Sequence, residues 1–423
     1  MAIKKIKNRV KEWLLWSQKY TQTDMIYATK GGFWLLFNQI TVSVVNILTT
    51  LFLVNLLTKE TFGTYKFVLS FFGILSIPAL SGLNTAIVNA AAKNENGAFV
   101  KAFFLKLKYG ALGSLAGLAV ALYYYVKGNN ILCLCFLIAA CFVPFFNSFS
   151  LYESFLSGKK NFSLLSRFSI ITQLISLICL AGAVLLSKNI YILLLAYFLP
   201  LTLSYLFFFY RTKKIFQPQG PINPQTVNFG KHLSIISIWG NISAQIDKII
   251  LWHFLGPAPL AIYAVAMMLP DKIKDILKII GSLATPKLVT RPLCELKKSV
   301  PQKTVLLFFL AFAAMFVYIV SAPLLFRYFI PQYRSYVHYS QVYALMLLFY
   351  PRLLIGATLY AKQKTKEIYL NTIVLTPFYW LSLLIFTILW GIWGALGAGL
   401  ITEALTFGLQ WFQFKQLKDS ENN

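Results

Sequence analysis

Twelve polar side chains stand inside or beside long apolar stretches of this 423-residue chain. Seven of them suit an anionic or polyhydroxylated ligand: Lys66, Asn241, Gln245, Lys248, Lys274, Lys278 and Arg352. Arginine offers a phosphate a two-pronged fork, and lysine a point charge. Each cation could equally neutralise a nearby carboxylate or snorkel to a membrane surface. Snorkelling accounts for Lys66 and Lys278 as well as binding does, whereas binding is the stronger account of Lys248, Lys274 and Arg352. Five acids complete the set: Glu153, Asp247, Asp271, Asp275 and Glu403. Intramembrane acids either exchange protons or Na⁺, coupling ligand movement to an ion gradient, or act as fixed partners for lysines. Both readings stay open, with Glu403 the foremost coupling candidate because it follows Gly394-Ala395-Leu396-Gly397-Ala398-Gly399, a run that permits close helix packing.

Spacing sharpens the pattern. Ser234, Ser237, Asn241, Gln245 and Lys248 recur at steps of three or four, one polar stripe if the segment is a helix, with Asp247 beside it. Asp271, Lys274, Asp275 and Lys278 share a face of the next helix, with Lys272 off to the side. A charge near the bilayer centre costs about 2.5 to 3.5 kcal/mol on insertion scales, so four on one face would cost on the order of 10 kcal/mol against lipid. They must face protein or water, lining a cavity or fastening helices as the pairs Asp271 with Lys274 and Asp275 with Lys278. In the first half Gln39, Ser43, Asn46 and Thr50 form a corresponding stripe, and Lys66, Ser70 and Gly73 line one side of the second span. His232, His253 and His338 are scattered and form no metal set, and the five cysteines show no metal or disulfide spacing. No catalytic residue, metal or cofactor is expected. Trp34, Trp380, Trp390 and Trp393 could stack on sugars, although an aromatic belt at the headgroups explains them more cheaply.

The elements that carry these groups are membrane helices. Hydrophobic residues make up 58% and charged residues 12% of the chain, against about 25% charged in a soluble globule. The net charge of +26 has no soluble domain to carry it, which excludes a nucleic-acid partner. Spans of about 20 residues are expected twelve times, near 32-57, 63-88, 108-126, 130-157, 165-187, 189-210, 233-255, 259-288, 302-326, 336-361, 367-389 and 391-413. Alternate connections are rich in lysine and arginine, among them Lys101, Lys106 and Lys108, then Lys159 and Lys160, then Lys362, Lys364 and Lys366. The positive-inside rule therefore places both termini in the cytoplasm. Residues 1-31 open with a basic amphipathic segment over 3-17, read either as a helix on an anionic membrane surface or as a disordered tail.

The chain also repeats. Leu56 to Tyr65 matches Phe254 to Tyr263, each the first outer turn of a six-span half, and a basic turn follows the fourth span of each half. Residues 32-210 and 232-413 are thus expected as two six-helix lobes related by a pseudo-twofold along the membrane normal, with a central cavity between them. A cytoplasmic linker, 211-231, joins the lobes, and a short tail, 414-423, closes the chain.

With the Leu56 to Tyr65 turn, Asn241 and Asp247-Lys248 leading to Leu255-Gly256 and Tyr263, the basic Gly158-Lys159-Lys160 turn and twelve spans in two halves, the chain resembles the Wzx-type polysaccharide flippases of the multidrug/oligosaccharidyl-lipid/polysaccharide exporter superfamily. The resemblance covers nearly the whole chain. It implies an all-α polytopic protein of the bacterial cytoplasmic membrane that moves an undecaprenyl-pyrophosphate-linked oligosaccharide to the outer leaflet by alternating access, for O-antigen, capsule or exopolysaccharide synthesis. Lipid-linked oligosaccharide and membrane lipids would be its partners, with a glycan polymerase a further candidate and the monomer the expected working unit. Lipid-linked peptidoglycan precursor flippases of this superfamily typically carry two further spans. A drug or cation exporter of the superfamily would favour an acidic, aromatic cavity, whereas cations outnumber acids here. A glycan polymerase or ligase would need a sizeable outer loop with acids or His, but the longest, 327-335, has Arg327, Arg334 and no carboxylate. A sugar permease ranks last, because Lys93-Asn94-Glu95-Asn96-Gly97 lacks its Gly-rich Asp-Arg signature.

Overall fold

A computed structural model describes the backbone of residues 25–220, 224–362 and 364–417. The basic segment at 3-17 lies outside the described residues. The described chain is almost entirely helical and contains no strand. It falls into two compact units. One takes in residues up to Thr49 together with Leu75–Ile238, and the other comprises Thr50–Ile74 and Trp239–Asn423.

The first unit holds most of α1 (Met25–Leu56), then α3 (Gly82–Ala92), α4 (Gly97–Val126), α5 (Asn130–Phe149), α6 (Leu151–Gly158), α7 (Phe162–Leu186), α8 (Ile190–Phe216) and most of α9 (Pro224–Ser243). The expected linker 211-231 is therefore helical at both ends. Aromatic packing supplies the core: Phe168 stacks on Phe208 at 4.1 Å, and Phe99 meets Phe155 at 4.6 Å and Phe209 at 5.0 Å. Between α4 and α5, Gly113 and Gly117 leave no room for a side chain, and Ser114 donates to the Ala140 carbonyl at 2.6 Å. On the opposite side of α4, Phe104, Leu115 and Leu122 are exposed. An apolar surface along a whole helix suits lipid rather than water.

The second unit contains α2 (Lys59–Leu75) to Ile74, α10 (Ile246–Leu255), α11 (Pro257–Thr290), α12 (Leu293–Phe329), α13 (Val337–Ala344), α14 (Arg352–Ala361) and α15 (Thr365–Lys415). The two matching outer turns meet inside it. A side chain on Gly63 would strike the Pro257 backbone, and Phe67 stacks on Trp252 at 4.1 Å. Asn55 donates to the Phe329 carbonyl at 2.8 Å, and Gln332 donates to the Asn55 carbonyl at 2.7 Å. Although α15 is continuous by its hydrogen bonds, Gly391 sits at φ +59° and reverses the chain. Asn371 consequently donates to Gln413 at 3.0 Å, 42 residues away.

Seven described helices are long and apolar enough to cross a membrane, or nine if each bent pair is one crossing. The reversal at Gly391 divides the last of them in two. The remaining expected crossings, in α9 with α10 and in α11, are helical and carry polar and charged residues that lower their apolarity. The protein is thus an all-helical, multi-pass membrane protein with about the twelve crossings expected.

Candidate functional site

The charged groups of the second unit gather where three helices are locally interrupted. The expected span 233-255 is two helices, because the backbone leaves helical geometry over 244–245, with Gln245 at φ −126°. This corrects the single polar stripe. Ser234, at the near end, is buried in the first unit and accepts a hydrogen bond from the Gly82 N–H at 3.0 Å. Gln245 instead packs against Gly73, and the half-buried Asn241 lies on α9 ahead of the break. Gly256, at φ +90°, then turns the chain into α11, whose first residue, Pro257, is preorganised for a helix start. A third interruption precedes Arg352: the segment Pro331–Phe349 meets α14 at 40°, with Pro351 as the helix cap.

Around these breaks the ions pair. Asp247 is 4% exposed; it accepts the Tyr263 hydroxyl at 3.2 Å, the Lys248 N–H at 2.8 Å and the Lys248 ammonium at 3.4 Å. Expected beside the stripe and among the five candidate coupling acids, Asp247 is the buried acid of the segment. Tyr343 joins Asp271 and Lys274 by donating to Asp271 and accepting from Lys274, both at 2.7 Å, while the two charged groups lie 3.3 Å apart. Asp275 pairs with Lys278 at 3.3 Å and with Lys272 at 3.7 Å, so Lys272 belongs to the network and Lys278 is largely exposed. Arg352 and Glu403 form a two-pronged pair at 2.7 and 3.1 Å, both about three-quarters buried. Gly399 makes room for Met346 beside that pair, as the small-residue run suggested. Lys66 lies over the Phe62 ring at 5.3 Å, with Lys248 and Lys272 among its charged neighbours.

A cavity of about 180 Å³ opens within this network, bounded by Asp247, Tyr263, Lys274, Tyr343, Tyr379 and Glu403. The structure thus brings Asp247, Lys274 and Glu403 to one space, with Lys248, Asp271 and Arg352 held to its walls through their partners. Glu153 is not with them. It lies in the first unit, where its neighbour is Tyr152. The binding expectation for Lys274 and Arg352 gains a physical condition, because each is already neutralised by a carboxylate and a ligand must displace or share that partner.

Two groups escaped the sequence reading. Tyr263, Tyr343 and Tyr379 supply hydroxyls to the cavity, but Tyr263 stands out in the sequence only as part of the repeated outer turn and its motif, and Tyr343 and Tyr379 do not stand out from the other tyrosines. Lys106 is treated above as a topology charge, yet it is 2% exposed within α4 and donates to Asn84 at 2.7 Å. The signal for it was present, since starting the helix at Gly97 puts Lys106 in its third turn.

Comparison with known proteins places this geometry. No curated protein matches the chain. Among solved structures, an inward-facing multidrug resistance transporter of the multidrug and toxic compound extrusion family has a TM-score of 0.68 at 14% identity, covering 90% of this chain and 96% of its own. The lipid II flippase MurJ, in an inward closed conformation, scores 0.63 at 14% identity over 92% and 88% of the two chains. A transporter of the same superfamily from Pyrococcus furiosus, described as having a binding pocket of reverse polarity, scores 0.56 at 13% identity over 92% and 93%. These likenesses show that the chain shares the fold of those transporters. The family model described as polysaccharide biosynthesis protein matches residues 28–288, more than half of the sequence. The chain therefore belongs to the polysaccharide biosynthesis protein family.

Proposed function

We propose that this protein is a flippase that carries a polyprenyl-pyrophosphate-linked oligosaccharide from the cytoplasmic to the outer leaflet of the bacterial cytoplasmic membrane, with both termini in the cytoplasm. The observation that carries this reading is the Arg352–Glu403 fork beside Lys274 at a cavity inside an apolar helical unit, in a chain of a polysaccharide biosynthesis family. A pyrophosphate has the oxygen geometry to replace the Glu403 carboxylate on the guanidinium, and Lys274 adds a point charge. The lipid tail stays in the bilayer, no covalent bond changes, and the step is movement alone. Competition between Glu403 and the pyrophosphate for one fork links the ligand to whatever neutralises Glu403, a proton or Na⁺. Asp247 and Glu403, both at the same cavity, favour a second reading, an ion-coupled exporter of cationic small molecules.

Lys274→Ala and Arg352→Ala test the assignment in cells. Each is expected to abolish surface glycan while the protein still inserts and accumulates. Normal glycan in both variants rejects the role, and loss of cationic-dye efflux with glycan intact favours the exporter.

A further inference from the structure

A second cavity, of about 250 Å³, adjoins the charged one, and Tyr379 and Thr402 line both. Its character is different. Hydroxyls and amides line it together with Leu359 and Leu375, with Asn371, Thr376, Thr406 and Gln410 prominent, and among the described residues no carboxylate, lysine, arginine or histidine does. Gln410 is 8% exposed, and among the described residues its side-chain carbonyl oxygen has no hydrogen-bond partner. The Asn371 side-chain oxygen is likewise buried and, among the described residues, unsatisfied, while its amide nitrogen donates to Gln413. Such acceptors cost free energy until a donor reaches them. Gly356 also lines the cavity, and a Cβ there would lie in ordinary contact with the Gln410 oxygen, at 3.4 Å, so a larger branched side chain would extend into the space. On another wall Ser243 is held by the Trp380 indole N–H at 3.0 Å, and Trp380 itself stacks on Trp239.

We propose that this neutral cavity is a saccharide subsite that receives the sugar next to the pyrophosphate. The inference rests on the flippase reading and deepens it. The two cavities follow the order of charge along such a substrate, an anionic diphosphate followed by a neutral ring rich in O–H donors. At roughly 30 Å³ per water, the cavity holds about eight waters, the scale of one sugar ring rather than a whole repeat unit. A bare cation would also find oxygens here, but without a carboxylate its charge would go uncompensated in a membrane interior.

The test measures binding of undecaprenyl pyrophosphate, alone and carrying a saccharide repeat unit, to purified full-length protein in nanodiscs. Gly356→Val fills the cavity and Gln410→Leu removes its acceptor, so if one variant loses its monodisperse elution profile the other still decides. Each is expected to weaken the saccharide-bearing lipid about tenfold, the loss of one or two hydrogen bonds, and to leave the bare lipid unchanged. Equal weakening of both lipids, or of neither, overturns the subsite and leaves the flippase reading standing. A changed Na⁺-dependent thermal stabilisation with saccharide binding intact overturns it in favour of a cation site. If the unaltered protein binds neither lipid, the flippase reading fails and the subsite falls with it.

Discussion

Replacing Glu403 by Gln separates the two roles that the fork combines. The substitution keeps the shape of the side chain but leaves the Arg352 guanidinium, held at 2.7 and 3.1 Å, without its countercharge. Removing one partner of a fully buried pair costs about 3 to 5 kcal/mol, and an exposed pair contributes about 0 to 1. With the two side chains 23% and 24% exposed, the intermediate figure is about 2 kcal/mol of lost stability in the ligand-free protein. A pyrophosphate that occupies the vacated fork restores the missing charge, so most of that loss returns as affinity, roughly 10- to 25-fold at about 1.4 kcal/mol per tenfold. Glu403→Gln is thus expected to unfold more readily without ligand, bind undecaprenyl pyrophosphate more tightly and export less glycan, since the exchange that would couple the cycle is gone. Thermal unfolding and scintillation-proximity binding in detergent measure the first two. The Arg352→Gln/Glu403→Gln double variant should recover stability and lose the affinity gain, closing the cycle. Lower stability with unchanged or weaker lipid binding refutes the proposal that Arg352 holds the pyrophosphate.

Tyr343→Phe deletes the hydroxyl that joins Asp271 to Lys274 and leaves the two only their direct 3.3 Å contact, which should cost about 1 to 3 kcal/mol in denaturant unfolding; an unchanged midpoint would show the bridge to be dispensable. Gly391→Val places a β-branched residue at φ +59°, where the strain is about 1 to 3 kcal/mol, so reduced accumulation and a lower unfolding temperature are expected, whereas Gly397→Ala, which meets open space, should be nearly silent. Lys106→Met removes the charge buried against Asn84 and is expected to leave Asn84 unpaired, lowering stability without changing lipid affinity, as measured by unfolding and binding on the same preparations.

Much of this protein is fixed by local rules. Stretches of about 20 apolar residues have to become helices in a bilayer, because each backbone N–H and C=O must be satisfied within its own segment. Gly256-Pro257 and Pro351 stand at turns and bends of the structure, where glycine frees φ and proline restricts it. The pairs Asp271 with Lys274 and Asp275 with Lys278 were also legible, since residues three apart share a helix face wherever the helix goes.

Tertiary structure alone decided the rest. No sequence period links Arg352 to Glu403 across 51 residues, or Lys274 to Tyr343 across 69, because those meetings depend on which helices pack together. The break at 244–245 falls on an alanine and a glutamine, residues that favour helix, so only packing around Gln245 and the buried Asp247 accounts for it. The unsatisfied Gln410 oxygen could not be anticipated either, since whether a polar atom finds a partner is a property of its three-dimensional neighbours rather than of its place in the chain.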